Sequence, residues 1–444
     1  MAELSGTNMD YLAAFEKFNS EFPIKNEIAN RFRQDAFEFF KKHGLPTRKI
    51  ENWKYTGLKV LSENSFFPAR PLSSLPQEIA AKIESFQNDE ILDLVFFNGQ
   101  MRPELSTKST EGFSVKKSLI KSEEESISNL PGDLHFQALN GMFANDEIEI
   151  VIADKVTLNR PLRLFFFTHL NDGPSLMIHP RVRLKVGESA KATVIESHCN
   201  LEKARYFVNS LVQIEAKKHS NLSYVFYQEQ SETAVHVAQS LFNLAEASRL
   251  QIFSFHTGSL ISRHNVEVNL TQENSEADLL GLAVLSDSQH CDNKTLIRHS
   301  VGHCTTRQIY KSILSGESRY VFSGKIKIAP GAQKASSEQL NKNLLISTKA
   351  EVNSEPQLEV EADDVKATHG STVGQLSEEE IFYFKSRGIS REKALDLLSF
   401  GFAADLVERI ESKDVQKWLK EQLKKSFFKL SQESPKKAKS LGEI

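Results

Sequence analysis

From about Ile91 to Lys366 the chain runs in short strand-like segments rich in Val, Ile, Leu, Phe and Tyr, separated by polar turns. Val182-Leu184-Val186, Ala192-Val194, Val208–Ile214, Leu222–Phe226, Leu250–Phe255 and Val266–Leu270 are examples. The intervening turns read EAKKHSN, AEASR, TQENSEAD and APGAQKAS. The middle of this region offers no strongly helical window. A long run of short strands with few helices must close on itself or stack, as a sandwich, a barrel or a solenoid. Strand–turn–strand units start near Leu211, Leu241, Val266, Leu296, Phe322 and Leu344, at a drifting spacing of roughly 22 to 30 residues, the range in which repeats signal solenoids. No fixed motif marks the repeat, so the pattern favours a β-helix over a sandwich only slightly.

Helical patterns flank this region. Phe32, Ala36, Phe39 and Phe40 recur at helical spacing, Gly44 is placed to end that helix, and Pro46 prevents its continuation. The connector RKIENWKYTGL (Arg48–Leu58) follows, with Trp53 and Tyr55 suited to anchoring it against a core. A weaker helical stretch spans Leu72–Glu90. On the C-terminal side, Ser377 and Glu380 form a capping box. Ile381, Phe382 and Phe384 are the expected buried face of that helix, and Gly388 its end. Ser390 caps a second helix carrying Ala394, Leu397 and Leu398, and a third begins near Asp414 with Val415, Trp418, Leu419 and Leu423 on one stripe. The expected division is an N-terminal helical domain (1–90), a β core (91–375), a C-terminal helical domain (376–431) and a disordered basic tail (432–444).

Several function classes are excluded or disfavoured. The 444 residues carry 55 basic and 58 acidic side chains, a formal net charge of −3, which lacks the basic excess of a nucleic-acid coat. No stretch approaches the roughly 18 apolar residues of a membrane span, and the N-terminus MAELSGTNMD lacks a signal-peptide pattern, so a cytoplasmic chain is expected. Three cysteines, Cys199, Cys291 and Cys304, are too few and scattered for a disulfide framework. Neither G-x-x-x-x-G-K-[ST] nor G-x-G-x-x-G occurs in the right context, so any ATP chemistry belongs to a partner. No G-x-S-x-G elbow is present.

Two constellations could carry chemistry. His290, Cys291, Asp292, His299, His303 and Cys304 crowd QHCDNKTLIRHSVGHCTT, a density that metals use, yet the spacing matches no closed zinc pattern. Alternating strand faces, with the cysteines as small buried hydrophobes, is the plainer reading. The second is His369, in KATHGSTVG, where strand pattern is expected to give way to helix. Its ring serves either as polar filler bonded to a carbonyl or as a ligand at a domain junction, with Gly370 and Ser371 permitting close approach. Asp363-Asp364 reads as a solvated turn rather than a catalytic dyad.

Two long blocks, VFSGKIKIAPGAQKASSEQLNKNLLIS and EPQLEVEADDVKATHGSTVGQLSEEEIFYFKSRGI, closely resemble the shared core of the SufB/SufD family of iron–sulfur cluster assembly proteins. LSDSQHCDNKTLIRHSVGHCTTRQIYKSIL resembles the stretch just upstream in that family, and RKIENWKYTGL the N-terminal signature of its SufD branch. The resemblance is dense over about Leu285–Gly401, recognisable at Arg48–Leu58 and loose between. It implies a mainly β fold, a right-handed parallel β-helix flanked by helical domains. It implies a non-enzymatic subunit that pairs with SufB through its C-terminal strands and docks the SufC ATPase on its C-terminal helices, with Leu397, Leu398, Phe400 and Phe402 as apolar candidates. It further implies iron or a nascent iron–sulfur cluster held transiently at the SufB junction, with His369 as candidate ligand, and a reduced flavin in the complex. Where many relatives read C-S-H-G, this chain has Ala367 in place of the cysteine, so a ligand contribution rests on His369 alone. Cys199, Cys291 and Cys304 stay unassigned. The alternatives are a secreted-type β-helix enzyme acting on polysaccharide and a homodimeric metal carrier independent of SufB.

Overall fold

The computed structural model describes residues 6–109, 112–118, 132–144, 146–170 and 173–438. Its centre is a parallel β-solenoid of about 8 turns built from two facing sheets. The first sheet carries Tyr206–Ala216, Val235–Leu244, Ile261–Leu270, His290–His299, Arg319–Ile328 and Glu351–Val360 in that order. The second carries Lys191–Asn200, Asn221–Glu229, Arg249–His256, Glu276–Leu285, Thr305–Leu314, Ser336–Leu345 and Lys366–Gly374. Successive strands alternate between sheets, and each pairs in parallel with the strand one turn away, as Val235 with Ile261 and Arg319 with Glu351.

Alternation within each strand makes the interior. Val212, Ile214, Leu222, Tyr224, Phe242, Val266, Val268, Leu279 and Ile297 fill it, all essentially without exposure. At the corners a residue with positive φ recurs turn after turn: Ser189, His219, Ala247, Asn274, Asp287, His303 and Lys334. Backbone bonds stack these corners, as from His219 N–H to Glu246 O (2.9 Å) and Ala247 N–H to Glu273 O (3.0 Å). The corner therefore needs a left-handed backbone but not one residue type, which leaves the repeat without a sequence motif.

The N-terminal helices Gly6–Glu21 and Glu27–His43 lie over the outer face of the first sheet. Asn26 caps the second, and Gly44, at φ 61°, closes it with its N–H on Phe40 O. Only Gln77–Glu84 of the weaker stretch Leu72–Glu90 is helical. A further helix, Leu134–Phe143, lies in the first part of the strand-rich region, where few helices were expected. All but its first two residues are buried, between Phe32 and Ala36 on one side and Phe207 and Val237 on the other, so it shows no amphipathic stripe to read. Gly141 permits this packing, because a Cβ there would stand 2.9 Å from the Phe32 ring.

Three C-terminal helices, Glu378–Ser386, Arg391–Val407 and Lys413–Ala438, cover the second sheet. Ala403, Leu406, Leu419 and Leu423 pack on Tyr227, Phe253, Leu280 and Ile309. The Ser377–Glu380 capping box forms, and Ser390 caps the next helix through Lys393 N–H. Of the expected buried face only Ile381 is buried, whereas Phe382 is 69% exposed, because this short helix stands off the sheet. The last helix continues to Ala438, into the stretch read as a disordered tail; residues 439–444 lie outside the described residues. Among the described residues no helix is long and apolar enough to cross a membrane.

Candidate functional site

The solenoid ends openly. Glu351–Val360 and Lys366–Gly374 each pair with a neighbour on one side only, leaving two adjacent strand edges with free backbone donors and acceptors. Val360 and Val373 are 41% and 51% exposed on these edges. His369 stands in the middle of the last strand, not at its end, and is exposed. Its register partner is Gln339, one of the residues that face the solenoid interior.

A polar file leads up to this position. Gln308 Nε2 donates to Thr295 Oγ1 (2.6 Å), and Gln339 Nε2 donates to Gln308 Oε1 (2.7 Å). Gln339 Oε1 has no partner. Beside the file, Ser371 bonds Ser354 (2.8 Å), Ser354 bonds Asn341 (2.8 Å), and Asn343 donates to Thr372 O (3.1 Å). The apolar core thus turns polar over its last turns. Gly370 leaves open space beside His369, since a Cβ there would meet only Leu340, at 3.5 Å. Ala367 packs against the interior.

The cysteines do not share this place. Six strand steps separate Cys199 from the last strand, on the order of 29 Å at ~4.8 Å per step. Burial pushes its thiol up to about 12. Cys291 and Cys304 are wholly buried in the solenoid core; burial holds Cys291 well above the ordinary range, and Cys304 lies against the carbonyls of Gly302 and Gln272. The dense histidine–cysteine block is split by strand alternation. His299 turns inward to Thr306 (2.9 Å), while His290 and Asp292 turn outward. Among the described residues no three His, Cys, Asp or Glu side chains are grouped to hold a metal. Asp364 sits in an exposed turn and pairs with Lys334.

His290 and Asp292 instead receive the connector Arg48–Leu58, which crosses the first sheet as a strap. Trp53 is buried, donates Nε1–H to Asp133 (2.7 Å), and covers the Arg263 guanidinium at 3.8 Å. Thr56 donates to Asp292, which also pairs with Arg263. With that hydrogen committed, His290 Nε2 must be the donor in its 2.9 Å contact with Thr56. Tyr55 and Lys54 both reach Glu355 on the final turn, at 2.8 and 2.7 Å. The sequence suggested Trp53 and Tyr55 as anchors; Thr56, Arg263 and Glu355 carried no signal of their own.

Comparison with known proteins adds the family. Residues 168–402 match the model described as the SufBD core domain of SUF-system FeS cluster assembly, and residues 6–81 match the SufBD N-terminal region. The iron–sulfur cluster assembly protein SufD of Escherichia coli (strain K12) is 34% identical over 91% of this chain and 94% of its own length. The chain belongs to the SufB/SufD family. A SufBD family protein of Synechocystis is 29% identical over 86% of this chain and 88% of its own. A chloroplastic protein of Arabidopsis thaliana is 26% identical over 89% and 86%. Within this family the chain is a SufD-type iron–sulfur cluster assembly protein, and the strap and the open solenoid end both fall within the matched regions.

Proposed function

We propose that this chain is a non-enzymatic subunit of a SufB–SufC–SufD assembly and that its open solenoid end is the surface that meets SufB. The observation that carries this reading is His369, exposed in mid-strand on an unpaired edge and in register with Gln339, the last member of the polar file that runs from Thr295 through Gln308. Unpaired parallel edges are completed by strands of another chain. Iron or a nascent cluster is the cargo. One imidazole from this chain, with thiolates from SufB, makes a mixed nitrogen–sulfur ligand set that iron accepts. Such a site releases its cargo more readily than one closed by four residues of a single chain.

The SufC ATPase is assigned to the C-terminal helices. Phe382, Tyr383, Leu397 and Phe428 are exposed there, whereas Phe400 and Phe402 are partly covered by the packing of the helices on the sheet. Of the four apolar candidates in the sequence, Leu397 is therefore the one best placed for a partner. A reduced flavin is implied for the complex as a whole, and no residue of this chain is assigned to it. Family membership speaks against a polysaccharide enzyme. The same open edge would also accept a second copy of this chain, the metal-carrier alternative.

Anaerobic reconstitution of the three-subunit complex with wild-type and His369→Ala chains tests this reading through bound iron and rate of cluster formation. Loss of both, with the complex intact, supports it. A wild-type rate removes His369 from the site, and a stable homodimer that ignores SufB and SufC favours the carrier.

A further inference from the structure

A second feature lies on the outer face of the first sheet. Beneath the strap lies a cleft of about 240 Å³. Asn265 and Lys294 form its floor, directly opposite each other in register on neighbouring strands. Asn52 of the strap and Asp133 form one wall, with Leu241 and Leu296 beside them.

Most charged groups around the cleft are already committed. Arg263 pairs with Asp292 under the Trp53 ring. Arg298 pairs with Glu267. Asp133 accepts from Trp53 and caps the helix Leu134–Phe143. Two donors remain. Lys294 is among the cations that form no hydrogen bond or ion pair, although Asp292, Asp133 and Glu355 act on it from a distance. Asn265 is 8% exposed, and its Nδ2 is buried without a partner. The amide cannot be flipped to relieve this, because its Oδ1 accepts from Arg263 Nε at 3.1 Å, and the reverse orientation would set two donors against each other. Burial lowers the Lys294 ammonium to about 8, so it still carries charge at neutral pH.

We propose that this cleft binds a small oxyanion of the phosphate class, held by Lys294 and Asn265. An amide N–H and an ammonium side by side on adjacent strands, with two guanidinium groups lining the same cleft, suit an anion that offers several acceptor oxygens. Because Asn52 belongs to the strap, occupancy would also hold the strap to the sheet.

The test uses the intact chain. Inorganic phosphate is titrated against chloride at constant ionic strength, with the thermal midpoint and equilibrium dialysis as readouts. Ligand linkage should raise the midpoint by about 2 °C at saturating phosphate. Lys294→Gln and Asn265→Asp should each abolish the rise and the retained phosphate, with phosphate-free midpoints within about 1 °C of wild type, and Lys294→Arg should restore part of both. An equal rise with methyl phosphate assigns the site to a phosphomonoester, and a rise confined to inorganic phosphate assigns it to the free ion; both support the proposal. No rise in the wild type, or an undiminished rise in Lys294→Gln, overturns it.

Discussion

Tyr55 donates its phenolic hydrogen to Glu355 across 2.8 Å and 300 residues of chain. The contact ties the strap that leaves the N-terminal helices to the final turn of the solenoid. The same strap meets Asp292 through Thr56 and Arg263 through Trp53, two and three strands further back. Three of the last four strands of the first sheet and the N-terminal helices therefore share one set of bonds, set beside the open end where the partner is proposed to bind.

The buried part of the strap should dominate its energetics. Trp53→Phe removes the bond to Asp133 and shrinks the surface over Arg263, with an expected cost of about 2 kcal/mol. Thr56→Val removes a donor to a carboxylate that still keeps Arg263, and also the acceptor of His290 Nε2–H, at about 1–2 kcal/mol. Lys54→Met, on the exposed side, should change equilibrium stability little. Urea denaturation of the three variants checks the order, and equal effects would contradict a buried anchor.

Buried histidines, four inside the solenoid and His179 between Phe143 and Phe207 on the outer face of the first sheet, should make the fold sensitive to mild acid. Burial lowers His179 and His256 to about 3 and His299 to about 4, and lowers His236 and His264 well below the ordinary range. Above pH ~6.5 these rings are neutral in both folded and unfolded chains, so they contribute no pH dependence. As pH falls below ~6.5 the unfolded chain takes up protons that the folded one refuses, and stability falls by up to ~1.4 kcal/mol per pH unit for each ring. The thermal midpoint should be level near pH 7 to 8 and drop steeply between pH 6.5 and 4.5, before paired carboxylates begin to protonate. His256→Gln should make that slope shallower by about one proton. A midpoint that stays level to pH 5 would contradict neutral burial.

The C-terminal helices separate folding from docking. Ser377→Ala removes a capping box and should cost about 1 kcal/mol. Phe382→Ser alters a side chain that is 69% exposed and should leave the midpoint unchanged while weakening retention of the SufC ATPase in a pull-down. Equal retention would move the docking surface elsewhere.

What could be read in advance followed local rules. The cap of Ser377, the stop at Gly44 and the buried stripe of Val415, Leu419 and Leu423 depend on neighbours within a few positions, and all appear in the structure. The solenoid turn was harder. Between the strands from Lys191 to Gly374 its length runs from 26 residues (Val235 to Ile261) to 32 (Arg319 to Glu351), longer than the apolar spacing suggests, because Leu211, Leu241, Val266, Leu296 and Phe322 sit at unequal register positions on the first sheet and Leu344 lies on the second. The helix Leu134–Phe143 escaped because it is buried on every side. His369 looked terminal because Gly370 and Ser371 directly after it carry little strand propensity; the register with Leu340 and Asn341 keeps them in the sheet.

The polar file below His369 gives the last prediction. Gln339→Leu removes the donor to Gln308 Oε1 and leaves that buried carbonyl unpaired, at an expected cost of about 1–3 kcal/mol. Gln339→Glu keeps an acceptor toward His369 but turns the file's lower end against Gln308 Oε1, so it should also destabilise unless Gln308 flips its amide. A flipped Gln308 would need a new partner for Oε1 in place of its bond to Thr295 Oγ1 (2.6 Å), which the threonine hydroxyl can supply by turning its hydrogen. Even so, the variant sets a carboxylate at a nearly fully buried position, so Gln339→Glu should cost more than Gln339→Leu at neutral pH. Hydrogen exchange of the Thr305–Leu314 and Ser336–Leu345 amides, measured in both variants, reports whether the loss is confined to the final turns. If the two variants destabilise equally and raise exchange throughout the solenoid, the file is ordinary core packing rather than a distinct polar end.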